Sequence, residues 1–135
     1  MKSTLVIISS LLVLVSTIML SPTFADQTNE IISNDNNIQL VKTTTSMHIP
    51  SDNMLPWASV RGTIENHAYD HPVIIQIYQN GDAIHFAQTN VNDDGSYEYK
   101  FRVRSVDGNN VVNVFEGDYE VRIFKTIDLT FDYSF

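Results

Sequence analysis

Cysteine is absent from all 135 residues. That excludes disulfide staples, thiolate nucleophiles and the Cys-bearing zinc and blue-copper sites, all of which need the thiolate. A chain without cross-links must hold its fold by packing alone. Positive charge is also scarce: eight Lys and Arg stand against sixteen Asp and Glu, a formal net charge of −8. Such a surface repels phosphate backbones and anionic lipid headgroups, so nucleic acid is not an expected partner. Helical periodicity is missing too, because no window after residue 25 repeats its apolar residues every 3.6 positions. There is no GxSxG, no HExxH and no P-loop, and an enzyme is not expected.

One long apolar run is present, at the start. Lys2 precedes Leu5, Val6, Ile7 and Ile8, and the run continues to Leu20 with serines scattered through it. About sixteen residues fall short of the roughly twenty that span a bilayer. Ser21-Pro22 ends the run, and Thr23 and Ala25 place small residues at positions −3 and −1 of a signal-peptidase site. Residues 1–25 are therefore expected to be a secretory signal, with Asp26 as the mature N-terminus. A retained membrane anchor is the alternative. After cleavage, no segment remains that is expected to insert in a membrane.

Residues 26–56 read as a flexible tether carrying a possible extra strand. The stretch 26–37 is polar and Asn-rich without a period. Residues 38–45 are β-branched and β-prone. They are expected to close an edge of their own domain or to pair with a neighbouring copy.

From residue 57 to residue 135 the pattern changes to short alternating runs with glycine-bearing turns. In 97–104, Tyr97, Tyr99, Phe101 and Val103 alternate with Glu98, Lys100, Arg102 and Arg104. A period of two puts the first set on one face of a sheet and the second on the other. Asn80-Gly81, Asp94-Gly95 and Asp107-Gly108 are tight-turn signals. Strands are expected at 60–64, 73–78, 83–91, 97–104, 111–115, 119–123 and 127–135. About seven short strands with frequent turns indicate an all-β, antiparallel β-sandwich. Its expected core is Val60, Ile64, Val73, Ile75, Ile77, Tyr97, Tyr99, Phe101, Tyr119, Val121, Ile123, Leu129 and Phe131.

Several residues carry a further likeness: Gly62 and Ile64; Pro72, Val73, Ile75 and Ile77; Thr89, Val91, Asp94, Gly95, Tyr97, Tyr99 and Phe101; and Gly117, Tyr119 and Val121. Their order resembles immunoglobulin-like domains of archaeal and bacterial secreted or cell-surface proteins, and is similar to carboxypeptidase-regulatory-like modules. The resemblance implies an immunoglobulin-like sandwich. Gly117-x-Tyr119 resembles a tyrosine corner, with Phe115 where an Asp often stands.

Candidate chemistry is sparse. His67, Asp70 and His71, with His85 as a third imidazole, are the expected residues of any zinc or copper site. Met47, His48 and Met54 are soft-ligand candidates for copper. Asn90, Asn92, Asp93, Asp94 and Gly95 imitate the first half of a calcium loop, but Phe101 falls where its bidentate Glu belongs. Tyr97, Tyr99, Phe101, Phe131, Tyr133 and Phe135 suit either a half-buried sheet or a flat sugar-binding platform. No catalytic, cofactor-binding or metal residue is assigned, and no cofactor is expected. The sequence points to an exported, non-catalytic module for adhesion or assembly at the cell surface, with protein partners or its own copies. A small extracytoplasmic metal-binding protein is the alternative.

Overall fold

The computed structural model describes residues 23–130, with side-chain environments from Gln27 onward. Among them are nine strands and no helix: β1 (Thr23–Asp35), β2 (Ile38–Ile49), β3 (Trp57–Thr63), β4 (Val73–Gln79), β5 (Asp82–Thr89), β6 (Ser96–Arg102), β7 (Arg104–Asp107), β8 (Asn110–Asn113) and β9 (Gly117–Asp128). All pairings are antiparallel. A five-stranded sheet runs in the order β1-β2-β9-β4-β5, β3 and β6 form a second sheet, and β7 and β8 form a short hairpin. No helix among the described residues is long and apolar enough to cross a membrane.

Alternation explains the strands. In β4, Val73, Ile75 and Ile77 are fully buried while Ile74 stays exposed. In β6, Tyr97 and Phe101 are buried, Tyr99 is half-buried, and Glu98, Lys100 and Arg102 face solvent. The inward residues of both sheets make one core: Met47 and Ile49 from β2, Tyr119, Val121 and Ile123 from β9, the β4 residues, and Ala58, Val60, Tyr97 and Phe101 from the small sheet. Burying each such aliphatic side chain contributes on the order of 1.5–3 kcal/mol.

The turns follow their chemistry. Asn80 and Gly81 both adopt positive φ (53° and 84°), the conformation that a two-residue hairpin of this hand requires. Gly62 serves a different purpose. It lies opposite Tyr97, and a Cβ there would stand 2.5 Å from the Tyr97 hydroxyl oxygen, so only glycine lets that ring fold across the strand.

Several expectations are corrected. Residues 26–37 are not a tether: most of them belong to β1, which pairs with β2 from end to end. An edge strand bathed on both faces needs no apolar alternation, and its polar side chains serve instead. Asn29 accepts from the Thr43 hydroxyl at 2.7 Å, and Glu30 pairs with Lys42 at 3.2 Å. The extra strand is longer than expected and lies inside the sheet between β1 and β9, so it does not close an edge. The runs 119–123 and 127–135 are not separate strands, because β9 continues unbroken to Asp128. Leu129 then sits in a turn, 46% exposed, outside the core. Phe131 and the remainder of the last run lie outside the described residues. The alternation of 97–104 holds, with Val103 fully buried, but the strand itself breaks after Arg102, where Val103 donates to the Pro56 carbonyl (2.7 Å) and β7 follows from Arg104. Met47, Ile49, Val103 and Phe115 are core residues that the sequence reading omitted.

The expected scission after Ala25 falls inside β1. It would remove only the Thr23–His48 and Phe24–Met47 pairs, which a register break already separates from Gln27–Thr45 onward.

Candidate functional site

The anticipated ligand sets do not assemble. His85 is half-buried on the inner face of β5, where its Nε2 lies 2.7 Å from the Tyr99 hydroxyl and its ring meets the Phe115 ring edge-on at 5.7 Å. Burial pushes its imidazole below the usual histidine range. His67, Asp70 and His71 do share an open cleft of about 400 Å³ with Asn90 and Asp93. Within it, His71 Nδ1 is 2.8 Å from the Tyr69 carbonyl and the His67 ring packs on Tyr69 at 5.1 Å. Among the described residues, no three His, Asp or Glu side chains form a metal-holding group.

The other candidates are occupied by their own neighbours. Met47 is buried while His48, on the opposite face of β2, reaches Asp118 at 2.7 Å. Met54 is on an exposed loop. The Asp94 carboxylate accepts from the Ser96 amide (2.9 Å) and hydroxyl (2.6 Å), which holds its pKa below the ordinary carboxylate value. Asn92 bonds the same hydroxyl at 2.9 Å. This is a self-contained hairpin turn. Phe101, at the calcium loop's Glu position, lies in the core. Tyr97 and Phe101 also face inward, so they form no exposed platform. Phe131, Tyr133 and Phe135 lie outside the described residues.

An exposed aromatic with a groove beside it, Trp57, lies on the outward face of the small sheet. Trp57 opens β3 and is paired with Arg102 at the end of β6. The guanidinium carbon of Arg102 stands 4.4 Å from the indole centroid, a cation–π geometry. Arg61, two pairs along, reaches Glu98 at 3.3 Å and the Ser59 hydroxyl at 3.3 Å. Between them, Leu55, Pro56, Trp57, Ala58 and Ser59, with Glu98 and Lys100, line an open groove of about 510 Å³. Trp57 is 47% exposed, Leu55 46% and Met54 71%. Hydrogen bonds from β7 and the residue before it hold the loop preceding β3 in place: the Pro56 carbonyl accepts from the Val103 and Arg104 amides, and Arg104 Nη1 donates to the Met54 carbonyl at 3.3 Å.

Charge singles out the same face. Four of the eight Lys and Arg residues (Arg61, Lys100, Arg102 and Arg104) lie on β3, β6 and β7 of a chain whose net charge is −8. Lys100 and Arg102 have no carboxylate partner among the described residues. An apolar groove with an aromatic anchor and two uncompensated cations can take an apolar side chain flanked by carboxylates.

Sequence reasoning missed this site. Alternation marks Lys100 and Arg102 as one face of a strand, but Trp57 lies before the strand expected at 60–64. Its position beside Arg102 depends on a register between segments about forty residues apart. No family model, curated protein or solved structure matches this chain.

Proposed function

We propose that the chain is an exported, non-catalytic module with an immunoglobulin-like β-sandwich fold. On this reading it acts in adhesion or assembly at the cell surface or in the extracytoplasmic space. The observation that carries the reading is the Trp57 groove: exposed Leu55 and Trp57, with exposed Met54 on the adjoining loop, beside Lys100 and Arg102 on an otherwise acidic protein. Exposed aromatic and Arg residues around a groove are the usual anchors of a protein–protein contact. The partner is a protein surface offering an apolar side chain and carboxylates.

The apolar leader at 1–25 supports export. The Tyr119 hydroxyl supports the immunoglobulin-like assignment: it accepts from the Glu116 amide at 2.6 Å and donates to the Glu116 carbonyl at 2.8 Å, as a tyrosine corner does. Two sheets of five and two strands sharing one core are compatible with a sandwich.

Fractionation of the producing cells tests the proposal. The unmodified chain should be retained with the cell envelope, and a Trp57→Ala/Arg102→Ala variant should be released, with its circular dichroism unchanged. Equal retention of both would remove the groove from the account. Recovery of the chain from the cytoplasm would remove export.

A further inference from the structure

The five-stranded sheet has two edges, and they are not alike. β1 is guarded: beside exposed Ile31 and Ile32 it carries three carboxylates, Asp26, Glu30 and Asp35, and its register breaks twice, at Phe24/Gln27 and at Ile31/Ser33. Those features blunt an edge against stray pairing. β5 reads Asp-Ala-Ile-His-Phe-Ala-Gln-Thr, with no Pro, Lys, Arg or Glu anywhere and no carboxylate after Asp82. It pairs with β4 on one side and, among the described residues, has no ladder partner on the other. One register shift leaves Ile84 as an extra residue between Ala83 and His85, and a regular stretch follows from His85 to Thr89. The far end turns toward β6, where the Thr89 hydroxyl donates to the Glu98 carbonyl at 3.1 Å. The open and regular part of the edge is thus the stretch from His85 to Gln88, with Phe86 at its middle.

The surface beside that edge is apolar. Phe86 is 69% exposed, Ile84 46% and Ile74 39%. Phe86 stands opposite Gln76, and Ile74 opposite both Gln88 and Phe124, on the face of the sheet away from buried Ile75 and Ile77. Ile74, Phe86, Ala87 and Gln88 line a shallow depression of about 440 Å³.

We infer that β5 pairs with β5 of a second copy, antiparallel about a two-fold axis near Phe86, so that two five-stranded sheets join edge to edge. Two observations select a second copy. A chain of net charge −8 repels its own copies over most of its surface, and residues 83–89 form a stretch with no formally charged side chain where two copies can approach. A strand that completes an edge must itself be unpaired, and each copy brings the same open β5. A two-fold contact of this kind is self-complementary: Phe86 of one copy meets Phe86 of the other, each flanked by Ile84 of its own strand, and the strands exchange backbone hydrogen bonds. This contact is separate from the Trp57 groove and does not depend on the function proposed for it.

Analytical ultracentrifugation of the purified chain over a wide concentration range tests the inference. A reversible monomer–dimer equilibrium is expected, weakened at least tenfold by Phe86→Glu and also by Ile84→Lys, and unchanged by Trp57→Ala. Two variants of opposite charge separate loss of the apolar contact from a simple charge effect. Circular dichroism of each confirms that it folds, and Phe86→Gln replaces either one that does not. In the dimer, amide exchange should slow along β5. A chain that stays monomeric at millimolar concentration would overturn the inference. So would a dimer indifferent to every β5 variant, or one abolished by Trp57→Ala.

Discussion

The two larger sheets treat their outward cations differently. On the five-stranded sheet they are neutralised close at hand: Lys42 on β2 by Glu30 on β1, and Arg122 on β9 by Glu120, with the Arg122 guanidinium also lying 3.9 Å from the Tyr78 ring centroid. On the two-stranded sheet only Arg61 has a carboxylate, while Lys100 and Arg102 flank an exposed tryptophan. Cross-strand ion pairs at a surface add a few tenths of a kcal/mol to about 1 kcal/mol. Leaving two cations unmatched on a small sheet therefore costs little stability and keeps them available to a partner. On the function proposed above, the large sheet serves the fold and the outward face of the small one serves contact.

That contrast is broken most severely from the inside of the large sheet. Ile77 is completely buried and lies beside Val121 in the ladder. Ile77→Ala should cost about 2–5 kcal/mol in denaturant unfolding through lost burial and the remaining cavity. Lys100→Ala, on the small sheet, should stay within about 0.5 kcal/mol of the unmodified chain. Equal losses from the two would dissolve the distinction between fold and contact surface.

A smaller loss is expected at Tyr119. Tyr119→Phe removes the partner of both the Glu116 amide and its carbonyl in a part-buried corner. Unfolding should show a cost of about 1–3 kcal/mol. A neutral result would mean that water takes over the corner without penalty.

Thr45 offers a change of opposite sign. It is 3% exposed on the inner face of β2, and its hydroxyl has no hydrogen-bond partner. Thr45→Val keeps the shape and removes the orphan, so a gain of about 1 kcal/mol is expected by thermal or chemical melting.

The smallest effect is on pH. His85 is held below its ordinary value of 6.5 by burial, so the unfolded chain takes up that proton first as pH falls. The stability associated with neutral His85 is intact above about pH 6.5 and declines below it, levelling off once the folded state is protonated too. Denaturant midpoints at pH 7.5 and pH 5, compared with those of His85→Phe, should show a shallower decline in the variant.

The parts of the fold visible in the sequence are those where one face of a strand is wet and the other dry. Val73, Ile75 and Ile77, like Tyr97 and Phe101, announce themselves by alternation, and Asn80-Gly81 marks the hairpin after β4. β1 could not be recognised this way, because it is exposed on both faces and owes its order to β2. The inner face of β2 alternates as Thr43, Thr45, Met47 and Ile49, all buried, but two threonines conceal a core stripe in a polar-looking run. The histidines are ambiguous for a related reason: His85 reads as a polar ligand but is a half-buried ring on the inner face, hydrogen-bonded to Tyr99. The groove at Trp57 was legible only as separate pieces. Its components come from β3, β6 and the loop before β3, and the ladder between the strands brings them together.

Hydrogen exchange of the labelled chain, with and without the envelope fraction of its own cells, tests the role of the small sheet most directly. Slowed exchange confined to residues 55–61 and 98–102 is the predicted result. Protection centred on the cleft at residues 65–71 and 90–94, or none on the small sheet, would contradict it.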